Sequence, residues 1–182
     1  MRRALRVSLF LSCLLAAAAA FAQEGMPKPG AEHKKLDYFV GNWTSDADMK
    51  PSPMGPGGKF VATEHTEWME GGYFVVIHSS YKSTAMGNGS GVAFMGYDFQ
   101  DKVYTYDEFN SSGEHNHSTG TLDGDTLTWL SDIKAGPQTV KGRFTMKLLP
   151  PDAYAYKFEV SADGKAWSLI MEGKDTKDTK AK

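Results

Sequence analysis

Apolar side chains recur at every second position along most of this chain, and that spacing calls for extended backbone rather than helix. In Phe144-Thr145-Met146-Lys147-Leu148 the apolar and polar residues alternate strictly. Tyr154, Tyr156, Phe158 and Val160 alternate with Ala155, Lys157 and Glu159, and Trp167, Leu169 and Met171 with Ser168, Ile170 and Glu172. Successive side chains of a strand point to opposite faces, so each run offers one face to a core and the other mainly to water.

Turn-forming residues punctuate these runs at short intervals: Gly71-Gly72, Gly87-Asn88-Gly89, Asp123-Gly124-Asp125, Gly136-Pro137 and Asp163-Gly164-Lys165. Glycine and asparagine accept the positive φ that tight hairpins demand. Between the turns the pattern predicts about ten strands, near residues 39–49, 58–69, 72–83, 89–98, 102–110, 114–122, 125–131, 138–149, 153–161 and 166–172. One short helix is predicted over Ala31 to Tyr38, with His33, Lys34 and Lys35 exposed and Leu36 packing inward. Only Lys50 to Gly58, with three prolines, is long enough for a crossover, and it reads as a lid or a loose connector. Hairpins throughout favour an all-β, up-and-down antiparallel barrel over a sandwich, because closure also removes exposed sheet edges.

The ends of the chain carry a different signal. Arg2, Arg3 and Arg6 precede an apolar stretch from Val7 to Ala20, and Ala20-Phe21-Ala22 offers small residues where a signal peptidase reads. The stretch is shorter than the roughly 20 residues a permanent membrane span needs. The expectation is a signal peptide over 1–22, cleaved after Ala22, and a periplasmic or secreted mature protein. Phe10-Leu11-Ser12 is a poor lipobox for Cys13, the only cysteine, so the mature chain holds no thiol. A flexible leader is expected over 23–32, one barrel domain over 33–172, and a disordered charged tail over 173–182.

Removing the three signal arginines from 20 basic residues leaves 17 against 22 acidic ones, a net charge of −5. That balance argues against nucleic acid as a partner, which requires clustered cations. No nucleophile, phosphate-loop or dinucleotide signature is present: Gly87-Asn88-Gly89-Ser90-Gly91 leads into a strand, with no helix N-terminus to hold a phosphate. The sharpest polar cluster is His115 and His117, which share a strand face at a spacing that metal sites use. His65 or His78 are candidates for a third ligand, and Asp107, on the face of Val103, Thr105 and Phe109, is the acid expected to look inward. Trp43 is expected inside the barrel, as core or as cavity lining.

Some of these residues also carry a resemblance. Leu36-Asp37-Tyr38-Phe39-Val40-Gly41-Asn42-Trp43 resembles the Gly-x-Trp opening of calycin-type barrels, the group of lipocalins, fatty-acid-binding proteins and nitrobindins. Gly96-Tyr97-Asp98, Gly120-Thr121-Leu122-Asp123-Gly124, Arg143 and Asp163-Gly164-Lys165-Ala166-Trp167 are similar to the secreted bacterial family named domain of unknown function 1579. The resemblance implies a calycin-like barrel with a central cavity, closed at its base by the tryptophan. Haem binding does not carry over, because the nitrobindin-type histidine falls late in the barrel and no histidine follows His117. Three functions stay open: a carrier of a small, partly apolar ligand using Trp43, Asp107, His115 and His117; a metal-assisted enzyme built on His115 and His117; or an envelope interaction module with a filled barrel. Ligand identity and oligomeric state are not legible.

Overall fold

The computed structural model describes residues 28–52, 55–135 and 137–178; the expected export segment, with Cys13, lies outside them. A one-turn helix α1 (Ala31–Lys34) runs into a 3-10 turn (Lys35–Phe39). Ten strands follow: β1 (Gly41–Met49), β2 (Gly58–Trp68), β3 (Phe74–Ser83), β4 (Gly87–Asp98), β5 (Val103–Asn110), β6 (His115–Asp123), β7 (Thr126–Ala135), β8 (Gln138–Leu149), β9 (Ala153–Ser161) and β10 (Ser168–Lys177). Each strand pairs antiparallel with the next, and β1 pairs with both β2 and β10, so the sheet closes into a barrel without free edges. Among the described residues no helix is long and apolar enough to cross a membrane.

The helical segment forms the floor. Glu32 and Lys35 pair at 2.8 Å one turn apart, and Leu36 and Phe39 are buried against the barrel. The chain then leaves for β1 through Gly41 at φ 125°, a conformation side chains disfavour. The Trp43 indole N–H donates to the Phe39 carbonyl at 2.7 Å. The Trp68 indole N–H donates to Asp37 at 2.7 Å, the Tyr104 hydroxyl to Glu32 at 2.6 Å, and the Tyr38 hydroxyl to the Ala153 carbonyl. These bonds reach β1, β2, β5 and the start of β9, so the floor is tied round much of its rim. His33, expected to be exposed, is buried instead, edge-on to the rings of Tyr73 and Tyr97 at 5.3 and 5.8 Å. In a helix this short, one residue's rotation decides burial, and the charge count of Glu32-His33-Lys34-Lys35 disguised it.

Two expectations at the C-terminal end change. The tail expected from Gly173 is strand as far as Lys177, with Gly173 opposite Ala47 and Lys177 opposite Trp43. Its polar sequence reads as unstructured, yet it supplies the last stave of the barrel. Gly173 is required there: a Cβ would lie 2.5 Å from the Ala47 Cβ and 2.8 Å from the Tyr156 ring. In addition, the alternation of Trp167, Leu169 and Met171 crosses a β-bulge between Leu169 and Met171. Leu169 therefore opposes outward-facing Glu159, while Met171 opposes inward-facing Phe158. Trp167 lies under the Arg143 guanidinium at 4.1 Å, on the outside, where Arg143 also pairs with Glu159 at 3.0 Å.

Candidate functional site: the barrel interior

The register fixes which residues face inside. Trp43 opposes Glu64, which opposes Ser79; Tyr106 opposes Ser118; Tyr154 opposes Asp175. Near the floor the inner wall is packed solid by Trp43, Val75, Met95, Tyr104, Leu127 and Tyr154, all buried. Farther from the floor, Phe60, Tyr81, Tyr106, Phe144, Phe158, Val160 and Met171 point inward yet keep part of their surface open. The barrel is thus closed at one end, and its inward side chains become partly exposed toward the other.

Three carboxyls lie on this inner wall: Glu64 from β2, Glu108 from β5 and Asp175 from β10. Asp175 is only 3 % exposed. Its Oδ2 accepts a hydrogen bond from the Tyr154 hydroxyl, whereas its Oδ1 is buried with no partner. Ser45 lies near enough to favour the charged carboxylate but is itself bonded to the Tyr156 hydroxyl at 2.8 Å. Glu64 makes no hydrogen bond and no ion pair among the described residues; burial, then the charges of Asp175 and Glu108, push its carboxyl up to about 7. Burial also raises Glu108, with the neighbouring Asn116 side chain pulling the other way, and raises Asp175 against the opposing hydroxyls of Ser45 and Tyr154.

The hydroxyls around these acids stay protonated. Tyr106, Tyr154 and Tyr156 are all raised above the ordinary phenol value, first by burial and then by the carboxyls. Among the described residues the only basic side chain at an inward register position is Lys177. It is held at the floor, donating to the Tyr38 carbonyl at 3.1 Å with its ammonium 5.2 Å from the centre of the Trp43 ring. The interior is therefore acidic, aromatic and short of cations.

The residues singled out by sequence fall elsewhere. Asp107, His115 and His117 do come together, with His117 Nδ1 at 2.8 Å and His115 Nε2 at 3.3 Å from Asp107 Oδ1. They do so on the outer face, at half-exposed positions, with His115 stacked on the exposed ring of Phe109 at 4.6 Å. Asp107 was expected to look inward; its strand has the opposite parity, with Tyr104, Tyr106 and Glu108 inside. Phe109 misled the reading because a large ring left exposed on a barrel wall has the same spacing as a core residue. His65 and His78 face each other across β2 and β3, where His65 bonds Asn42 at 2.7 Å, so neither joins the pair. No group of three acidic, histidine or cysteine side chains among the described residues is arranged to hold a metal ion. Trp43 sits inside as expected, but in the packed floor, 2 % exposed. Asp98 accepts from the Gln100 and Asp101 amides and so caps the β4–β5 turn.

Glu64, Glu108 and Asp175 escaped sequence reading because an acid in a strand ordinarily marks the solvent face. The signal available was parity: Glu108 shares a face with Tyr104 and Tyr106, and Asp175 with Met171 and Gly173. The structure also carries two clefts apart from these acids. One of about 250 Å³ lies at the rim by Lys59 and Ser83, and one of about 270 Å³ between the floor and Leu122, Leu127 and Leu148. Neither takes in the three inner carboxyls.

Comparison with known proteins fits this architecture. The crystal structure of Rv2717c from M. tuberculosis superposes with a TM-score of 0.56 at 13% identity, covering 82% of this chain and 98% of that one. The S-type phycobiliprotein lyase CPES from Guillardia theta gives a TM-score of 0.54 at 11% identity, covering 84% of this chain and 95% of the other. At such identities the likeness establishes the shared calycin-like barrel and nothing finer. No curated protein sequence matches the chain. The model of the family described as Protein of unknown function (DUF1579) matches residues 28–177, nearly the whole described chain, and the protein belongs to that family.

Proposed function

We propose that the barrel binds a small, partly apolar molecule in its interior, entering from the end opposite the helical floor. The observation that carries this reading is the inner wall itself. Phe60, Phe144, Phe158, Val160 and Met171 face inward and are incompletely covered, although nothing in a purely structural barrel requires such side chains to be left open. A protein of the same fold is a phycobiliprotein lyase, which is consistent with this kind of barrel handling a small molecule.

Nile red, a neutral apolar dye, provides the test. The protein is expected to bind it in a one-to-one complex with enhanced fluorescence. Val160→Trp, which fills the inner wall, abolishes the signal, and Leu130→Ala on the exposed outer face leaves it intact. Binding that survives Val160→Trp and disappears with Leu130→Ala would place the ligand outside the barrel and end the proposal.

We also propose that the protein works outside the cytoplasm, on the strength of the export-type N-terminus. Protein purified from the envelope fraction of its own source should have an intact mass corresponding to a chain beginning at Gln23. A mass that retains Met1 to Ala22 would refute export by cleavage.

A further inference from the structure

Among the described residues the inner wall sets three carboxyls against a single ammonium, and that ammonium is engaged elsewhere. Lys177 is bound to the Tyr38 carbonyl and the Trp43 ring and makes no ion pair with Glu64, Glu108 or Asp175. Arg143, Lys141 and Lys147, which could have balanced the acids, alternate to the outside of β8, where they pair with Glu159, Asp132 and Asp125. A buried carboxyl oxygen without a donor is rare in native structures and costs free energy unless something supplies the missing bond. Here the deficit is found at Asp175 Oδ1, fully enclosed, while Glu64, partly open on the inner wall, has no hydrogen bond among the described residues.

We infer that the molecule taken into the barrel is an organic cation, an amphiphilic amine whose protonated nitrogen lies against Glu64 with Asp175 and Glu108 behind it. The inference rests on the interior-binding reading and narrows it to a ligand class. The wall is graded in the sense such a molecule needs. Glu64 and Asp175 lie level with the packed floor residues, since Glu64 opposes Trp43 and Asp175 opposes Tyr154. Beyond them come the rings of Tyr156 and Phe144, stacked at 5.0 Å, and then Phe158, 6.5 Å from Phe144. A cation entering head first would meet the carboxyls at depth while its apolar body lay along the aromatic wall, whose ring faces also attract positive charge. A bare metal ion suits the site less well, because the carboxyls come from separate strands and no three acidic, histidine or cysteine groups among the described residues converge on one point. The raised carboxyl of Glu64 agrees with an acid held in wait for a counter-charge, since an arriving ammonium would restore its ionised form.

Three molecules of one shape test the inference: octylamine, octan-1-ol and octanoate, titrated at pH 8 and followed by tryptophan fluorescence, Trp129 being on the inner wall. Octylamine is expected to bind about tenfold or more tighter than octan-1-ol, and octanoate most weakly, as a charge-assisted bond to a desolvated carboxylate predicts. Glu64→Gln should reduce octylamine to the affinity of the alcohol while leaving the alcohol unchanged; Glu108→Gln should produce a smaller loss of the same sign. Equal affinities for all three, or tighter binding of the alcohol or octanoate, overturns the cationic ligand and leaves the interior-binding reading standing. If none of the three binds while Nile red does, the cationic inference alone falls. If Nile red also fails, both fall together.

Discussion

Trp43→Ala is expected to lower the melting temperature by roughly 10 °C, the largest effect of any single substitution at the floor. Trp43 is 2 % exposed, packs on Tyr38 and Tyr154 with ring centres 5.9 and 5.2 Å away, and satisfies the Phe39 carbonyl through its indole N–H. Truncating a buried tryptophan to alanine costs about 3–5 kcal/mol through lost burial and the cavity left behind. In a domain of this size each kcal/mol moves the melting point by about 2–4 °C. Trp43→Phe separates the two contributions: the ring is largely kept and only the hydrogen bond to Phe39 is lost, for about 1 kcal/mol. Thermal unfolding of the two variants beside the parent is the measurement. A loss below 2 °C for Trp43→Ala would mean that the helical floor is not coupled to the barrel, contrary to the bonds that tie it to β1, β2, β5 and β9.

The second large effect has the opposite sign. Glu64→Gln is expected to stabilise the protein at pH 8 and to do little at pH 5. The Glu64 carboxyl rises from an ordinary 4.5 to about 7 in the fold, because burial and the charges of Asp175 and Glu108 disfavour its ionised form. A proton is therefore held more tightly by the folded chain than by the unfolded one. That contribution is complete below about pH 4.5 and is lost as the pH climbs through 7. Its ceiling is about 3 kcal/mol, at roughly 1.4 kcal/mol for each unit of pKa. Glutamine has the shape and neutrality of the protonated acid at every pH, so the variant keeps what the parent loses. Near pH 8 the gain corresponds to roughly 5–10 °C, reduced by any water that reaches the half-open interior. Melting curves from pH 5 to 8 decide the matter. A variant less stable than the parent at pH 8, or an equal gain at both ends of the range, would show that Glu64 is not a desolvated acid facing other acids.

Taken together, the two variants describe a barrel divided by depth. Its floor is packed for stability, and the acids set beside that packing oppose stability as the pH rises and Glu64 ionises. A cluster that costs folding free energy and that closer packing or a lysine at an inner position would relieve is better understood as a binding feature than as part of the scaffold.

Much of the architecture was legible from local chemistry. Period-two alternation in Phe144–Leu148 and Tyr154–Val160 located β8 and β9, and the paired glycines and Asp-Gly turns located their neighbours. Unbroken hairpins implied closure, which the pairing of β1 with β10 provides. The misreadings have specific causes. The Gly173–Lys177 segment looks like a solvated tail because its sequence is polar, yet β9 and β1 offer it two rows of backbone partners, and that pairing holds a strand whatever its side chains. Trp167 looks like core because alternation was carried straight through a bulge that no local pattern announces.

Sequence alone determined that the chain forms short antiparallel strands with one apolar face each, and that tight turns bring them round into a barrel. These are consequences of spacing and of turn residues, both local. Only the tertiary structure decided which polar residues stand inside. A carboxyl's place depends on the parity of its strand relative to nine others, and a single bulge or a misleading ring such as Phe109 inverts that parity. For this reason Asp107, His115 and His117 lie on the outside, and Glu64, Glu108 and Asp175 form the acidic interior.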